Sequence, residues 1–256
     1  MIWAGPTDGV SDCTPYLNSV INHITGTGDT VLEIPSGQFY FYSPPLTLPR
    51  MTIRGQGKLA TVLHKKFDNG AMFYLQGDKG GGIVIEDLAC LCYNANTPGY
   101  FVYMAGNSTY QPDCSIIRNC WVSSNDGGKW YSVIVLDGSA RASPQGLRMV
   151  VIENCELFNA EVASIWANDC VGLKVRGVGC FMENCGIYLL GRSTDCSFTD
   201  ITNNGFLHID DTTTICSYSG NMDSLNAGKS SYWRISATCT GSSVNNLVNS
   251  DVRLLR

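Results

Sequence analysis

Five carboxylates fall where pairs of them can lie on neighbouring turns of a regular chain path. Glu156, Glu161 and Glu183 make one group, and Asp137 and Asp169 a second. Two carboxyls about 5–5.5 Å apart suit a retaining cleavage of a glycosidic bond, and about 6.5–9.5 Å leaves room for the water of an inverting one. Carboxylates one chain turn apart also share a proton or raise one pKa. Asp and Glu at turns serve equally as solvated turn formers, and both readings stand at this point. Aromatic and amide residues gather nearby. Trp121 lies one turn from Glu156, and Tyr93, Asn94, Tyr110, Asn125, Asp126, Trp130 and Arg141 fall in stretches rich in Asn, Ser and Gly. Rings stack on sugar faces while amides and carboxylates bond hydroxyls, so these are the candidate glycan contacts. Packing against a neighbouring subunit is the competing reading.

The elements that must position these residues repeat. Met51-Thr-Ile-Arg-Gly-Gln, Ile83-Val-Ile-Glu-Asp-Leu, Ser115-Ile-Ile-Arg-Asn-Cys, Val150-Val-Ile-Glu-Asn-Cys, Leu173-Lys-Val-Arg-Gly-Val and Cys196-Ser-Phe-Thr-Asp-Ile superpose. Each reads as a short strand, a bend at Gly, Asn or Asp, and a second strand. A second series interleaves, through Met72, Phe101, Val133, Ala163, Gly186 and Phe206. Units this small bury their apolar face only by stacking. One coil of about three sides, stacked at the inter-strand spacing of about 4.8 Å, is a parallel β-helix.

The superposition predicts columns. Ile53, Ile85, Ile117, Ile152, Val175 and Phe198 point inward, followed past the bend by Leu88, Cys120, Cys155, Val178 and Ile201. The outward column Arg54, Glu86, Arg118, Glu153, Arg176, Thr199 alternates in sign, which suits opposed neighbours across strands. In the second series Tyr74, Tyr103, Val135, Ile165, Tyr188 and His208 form an outward apolar column. An exposed stripe of this length needs a cover, and the lateral interface of a homotrimer is the first reading. A sugar-binding track and packing under a loop are the others. Coils start at residues 51, 83, 115, 150, 173 and 196, so the last two intervals are near minimal and the earlier ones carry the long loops. Loops on a rigid scaffold are where function concentrates.

Composition narrows the classes. The chain has 256 residues, 27 Gly, 15% charged residues and net charge −5. The low charge predicts that some surface is covered by partner subunits. The lack of a basic run argues against nucleic acid. No segment reaches the roughly 20 apolar residues that span a bilayer, and residues 1–10 show no Sec signal pattern. Twelve cysteines without a CxxC pair, and three His, predict buried free thiols in a chain assembled in reducing cytoplasm, with no metal site and no cofactor.

The N-terminus reads as a cap. Thr14 is placed as N-cap with Pro15 at the first helical position, and Tyr16, Leu17, Val20, Ile21 and Ile24 give an apolar stripe to about Thr25. Thr30-Val-Leu-Glu then reads as a strand. The expected organisation is one domain: a cap over 1–50, coils over 51–220, and a terminal irregular coil or oligomerisation segment over 221–256.

Gly9-Val-Ser-Asp-Cys-Thr14, Leu17, Ile21, Val31-x-x-Ile-Pro-x-Gly-x-Phe-Tyr40, Leu46, Leu48 and Ile53-Arg-Gly-Gln-Gly57 resemble the opening of the pectate-lyase-like, single-stranded right-handed parallel β-helix superfamily. Ser11 departs from the Asp usual there. The resemblance implies an all-β solenoid with a short N-terminal capping helix. That superfamily includes pectinases, polysaccharide lyases, epimerases and phage tailspikes. The pectinase blocks are missing: Asp210-Asp211 is the only Asp-Asp, and there is no Gly-His-Gly or Arg-Ile-Lys. The chain is more similar to a bacteriophage tailspike or tail-fibre protein. That implies a homotrimeric virion protein, in contact with other virion proteins, that recognises bacterial surface polysaccharide. A depolymerase using the paired carboxylates and a purely structural virion protein are the alternatives.

Overall fold

The computed structural model describes residues 1–24, 30–76, 82–93, 99–107, 112–140, 146–181, 186–203, 206–209, 217–222, 232–235 and 243–245, with backbone alone at 203, 218–222, 232–235 and 243–245. Parallel strands coil around one core. The strands Val84–Cys92, Ile116–Ser124 and Ser197–Asn203 run through the bend and contribute to two faces at once. In other coils the same path is split, as in Val151–Glu153 with Glu156–Phe158 and Lys174–Arg176 with Gly179–Phe181. A third face stacks Gly70–Gln76, Gly99–Ala105, Trp130–Asp137, Ala160–Asn168, Gly186–Leu190, Phe206–Ile209 and Tyr232–Ile235. Leu147–Arg148 and Cys170–Val171 pair separately at a corner.

The bend is chemical. Asp87, Asn119, Asn154, Gly177 and Asp200 occupy one position of successive coils with φ between 52° and 59°, the left-handed region that Asn, Asp and Gly tolerate best. Asn119 Nδ2 donates to Asp87 Oδ1 at 3.0 Å, tying one bend to the next. Gly55 answers a different need, because a Cβ there would lie 2.2 Å from the Asp87 carbonyl oxygen.

The first-series register is as the superposition predicts. Ile53, Ile85, Ile117, Ile152, Val175 and Phe198 are consecutive partners, and all are buried, as are Leu88, Cys120, Cys155, Val178 and Ile201. Cys13, Cys90, Cys114, Cys120 and Cys155 are free thiols. Burial pushes the Cys90 and Cys120 thiols well up, so they behave as small apolar side chains rather than nucleophiles.

Outside, the charges meet as their signs require, and Glu33 extends the column by one rung. Glu86 is 1% exposed and takes Arg54 Nε and Arg118 Nη2 at 2.5 Å each. Burial pushes the Glu86 carboxyl up, but hydrogen bonds from the two guanidiniums outweigh it and hold the group below its usual range. Arg176 Nη2 meets Glu153 at 2.5 Å. Removing one partner of a buried pair costs about 3–5 kcal/mol. Here the arginines are about 40% exposed and rehydrate, so Glu86→Gln is expected to cost about 2 kcal/mol. The readout is the urea unfolding midpoint, and an unchanged midpoint would remove Glu86 from the stabilising ladder.

The helix spans Thr14–His23. Its N-cap is Cys13, not Thr14, which already lies in the helix and uses its hydroxyl to reach Ser43 O at 3.1 Å. Asp12 Oδ1 instead accepts the Thr14 amide at 2.9 Å. Leu17, Val20, Ile21 and Ile24 are buried, and Tyr16 packs edge-on against Trp3. No helix among the described residues is long and apolar enough to cross a membrane. In the terminal segment Tyr232–Ile235 pairs with Phe206–Ile209, and Ser243–Asn245 with Ser217–Met222.

Candidate functional site

The second face runs through Gly37–Phe41, Thr61–Lys65, the latter halves of the bent strands, Glu156–Phe158 and Gly179–Phe181. Phe39, Leu63, Cys90, Val122, Leu157 and Cys180 turn inward and are fully buried. Alternation therefore sends their neighbours outward in two columns. One holds Gln38, Val62, Ala89, Trp121, Glu156 and Gly179, and the other Tyr40, His64, Leu91, Ser123, Phe158 and Phe181.

The first coils assemble a polar chain on this face. His64 is 4% exposed and stacks flat on Tyr40, with ring centroids 4.2 Å apart and 3° between planes. Its Nε2 meets Gln38 Oε1, and its Nδ1 lies 2.7 Å from the Tyr93 hydroxyl. An amide oxygen only accepts, so Nε2 carries the proton and Nδ1 accepts from Tyr93. Asn125 Nδ2 donates to the Tyr93 oxygen at 3.3 Å. Burial, and then the nearby Lys66 charge, lowers the His64 pKa to about 4, so the imidazole is neutral at pH 7. The Lys66 ammonium lies 3.1 Å from the Tyr93 ring centroid.

Further along, the same face carries rings. Trp121 and Phe158 have centroids 5.9 Å apart, and Phe158 stacks on Phe181 at 4.9 Å. Glu156 is the register partner of Trp121 and is ion-paired with Lys58, which reaches it from two coils before that of Trp121. Aromatic surface with interspersed amides, one cation and one neutralised carboxylate can stack on pyranose faces and bond hydroxyls.

The sequence-predicted residues divide. Tyr93 and Asn125 come together, with the exposed Asp126 beside them, and Trp121 meets Glu156. Trp130 does not join them. It is 0% exposed, with its indole N–H donating to Ser123 O at 2.7 Å, so its ring meets no ligand. Glu161 is exposed on the third face, at a register shift between Ala160 and Ala163 and across the corner at Asn159 from Glu156. Asp137 faces Asn168 rather than Asp169. Its Oδ1 accepts the Ser139 amide at 3.0 Å, and Asp169 Oδ1 accepts the Arg192 amide at 2.6 Å, as turn formers do. Glu183, Asn94, Tyr110 and Arg141 lie outside the described residues. No group of three His, Cys, Asp or Glu among the described residues is placed to hold a metal ion.

On the third face Tyr74, Tyr103, Val135, Trp166, Tyr188 and His208 are consecutive partners. Ile165 is not in this column. It pairs with Ile134 and Ile187 and is fully buried, because the strand Ala160–Asn168 gains one residue at its register shift. Trp166 takes the place. Gln38, Tyr40, His64 and Lys66 escaped the sequence reading. Their signal was available in the matched spacing of Tyr40 and His64 about inward Phe39 and Leu63.

No family model matches the chain, and no curated protein matches it. Among solved structures it is similar to the Agl-KA catalytic domain, at 12% identity and TM-score 0.60, over 97% of this chain and 46% of that one. It is also similar to the tailspike protein gp49 of Acinetobacter baumannii bacteriophage Fri1, described as a capsular polysaccharide depolymerase, at 11% identity and TM-score 0.49, over 91% and 54%. A third is the A-module of the Azotobacter vinelandii mannuronan C-5 epimerase AlgE6, at 11% identity and TM-score 0.39, over 98% and 94%. The chain thus spans less than half of the first of these. At such identities the likeness is one of fold, and the fold is a parallel β-helix.

Proposed function

We propose that this chain recognises bacterial surface polysaccharide as part of a phage virion, in the manner of a tailspike or tail fibre. In this reading the solenoid is right-handed, with its first coil covered by the helix Thr14–His23. The observation that carries the recognition role is the outer side of the second face. Tyr93, Trp121, Phe158 and Phe181 line it, alternating with Gln38, Asn125 and the Lys58–Glu156 pair. The low charge, which suits a surface covered by partner subunits, supports the virion placement. The third-face column Tyr74, Tyr103, Trp166, Tyr188 and His208 is half-buried and is the proposed lateral contact of a homotrimer. A monomer at micromolar concentration would remove that contact.

Binding is favoured over cleavage by the state of the carboxylates. Glu156 is neutralised by Lys58, Asp137 and Asp169 accept backbone amides, and Glu161 belongs to another face. The test is retention on a panel of immobilised capsular and O-antigen polysaccharides, with new reducing ends read in parallel. Retention without reducing ends is expected, weakened about tenfold by Trp121→Ala or Tyr93→Ala. Release of ends that is lost in Glu156→Gln or Glu161→Gln would establish a depolymerase instead. No retention would leave a structural role.

A further inference from the structure

The corner that holds His64 also holds a cation that no carboxylate among the described residues answers. Arg54, Lys58, Arg118, Arg176 and Arg192 each face an acidic partner. Among the described residues none pairs with Lys66. Rings hold it instead: its ammonium sits 3.1 Å from the Tyr93 centroid and 5.7 Å from that of Tyr40. A cation on a ring face is fixed in place without being neutralised. In a chain of net charge −5, this is a local positive point on the face with the aromatic ladder.

The groups around it have their hydrogen-bond polarity set. His64 donates from Nε2 to Gln38 and accepts the Tyr93 proton at Nδ1, and Asn125 donates to the Tyr93 oxygen. The Tyr93 proton is therefore committed inward, and around the phenol the corner offers two donors outward, the ammonium and the amide of the exposed Asn125. A neutral imidazole behind the phenol adds no second charge there, so among the groups packed on the Tyr93 ring and hydroxyl only Lys66 is charged, while Lys65 turns its ammonium to Phe67 O and Asp126 stands exposed beyond Asn125. We infer that Lys66, Tyr93 and Asn125 form a subsite for the carboxylate-bearing unit of an acidic polysaccharide, a uronic acid or similar carboxylated sugar. This rests on the glycan reading above. The sugar carboxylate meets the ammonium in a charge-assisted bond, with its ring edge against the phenol. A neutral sugar in the same place strips water from Lys66 and returns only neutral hydroxyl acceptors, so the charge-assisted bond is the basis of discrimination.

The test compares each polymer the protein retains, in native and carboxyl-reduced form, and adds an oligoglucuronate against the glucose oligomer of the same linkage. Lys66→Met keeps the stem on the rings and removes the charge, and Lys66→Arg restores it. Wild-type protein is expected to hold the acidic form about tenfold more tightly, less so as salt is raised. Lys66→Met abolishes the difference and Lys66→Arg recovers it, with urea midpoints unchanged in both. Equal retention of acidic and reduced forms, or a preference that survives Lys66→Met, overturns the acidic-sugar assignment while leaving glycan recognition standing. Retention of no polymer at all overturns glycan recognition itself.

Discussion

Trp130→Ala is expected to destabilise the protein by about 4 kcal/mol, the middle of the range for a large aromatic removed from a packed core. Trp130 is 0% exposed, and its indole N–H satisfies Ser123 O across the corner that joins the second face to the third. Truncation leaves both a cavity and an unpaired carbonyl, and the two costs add. The same corner carries Asn125, whose amide N–H reaches Cys92 O at 2.9 Å and whose side chain reaches Tyr93. Under the proposed glycan role, retention therefore falls in Trp130→Ala only as folding does. Trp130→Phe, which refills most of the volume, recovers retention with an intermediate midpoint. Trp121→Ala does the reverse: the half-buried ring costs about 1 kcal/mol or less of stability, while retention drops. A Trp130→Ala protein with a wild-type urea midpoint would refute the buried assignment and return Trp130 to the ligand candidates.

The two tryptophans also show where reading the chain succeeds and where it stops. Trp121 follows a bend residue by two positions, so its direction was implied by Asn119 and inward Cys120. Trp130 follows a loop of irregular length, and nothing in Ser123–Lys129 states whether the next strand starts facing in or out. The charged column was legible for a related reason. Arg54, Glu86, Arg118, Glu153 and Arg176 are each one residue before a bend, and the bend fixes the register of every coil.

On the third face no such anchor exists. The extra residue between Ala160 and Ala163 leaves no compositional mark in Ala160-Glu-Val-Ala. A slip of one residue exchanges the two sides of a strand, and so Ile165 and Trp166 trade places. The His64 cluster was hidden differently. Its members come from three coils separated by unequal loops, and Gln38, His64 and Tyr93 meet only through the ladder that pairs Gly37–Phe41 with Thr61–Lys65 and the latter with Val84–Cys92.

That cluster makes the fold sensitive to mild acid. Burial first, and Lys66 second, lowers the His64 pKa from 6.5 to about 4. Above pH 6.5 the imidazole is neutral in folded and unfolded chains alike and contributes no pH dependence. As pH falls through 6.5 the unfolded chain takes up a proton that the folded chain refuses until about pH 4, so unfolding becomes steadily easier across that window. The loss amounts to about 3 kcal/mol at its lower end and does not grow beyond it. Protonation would also place an N–H on Nδ1, against the Tyr93 hydroxyl that now donates to it. Glu86 acts lower: its carboxyl is held below the ordinary 4.5, so its contribution is lost only as pH falls through that depressed value. Urea midpoints of wild-type protein and His64→Gln between neutrality and pH 4 separate the two. The wild type loses stability across the window, the variant starts lower but keeps a flatter profile, and both fall together further into acid. Parallel profiles through the window would mean that His64 titrates as an open imidazole, and the neutral acceptor behind Tyr93 would have to be given up.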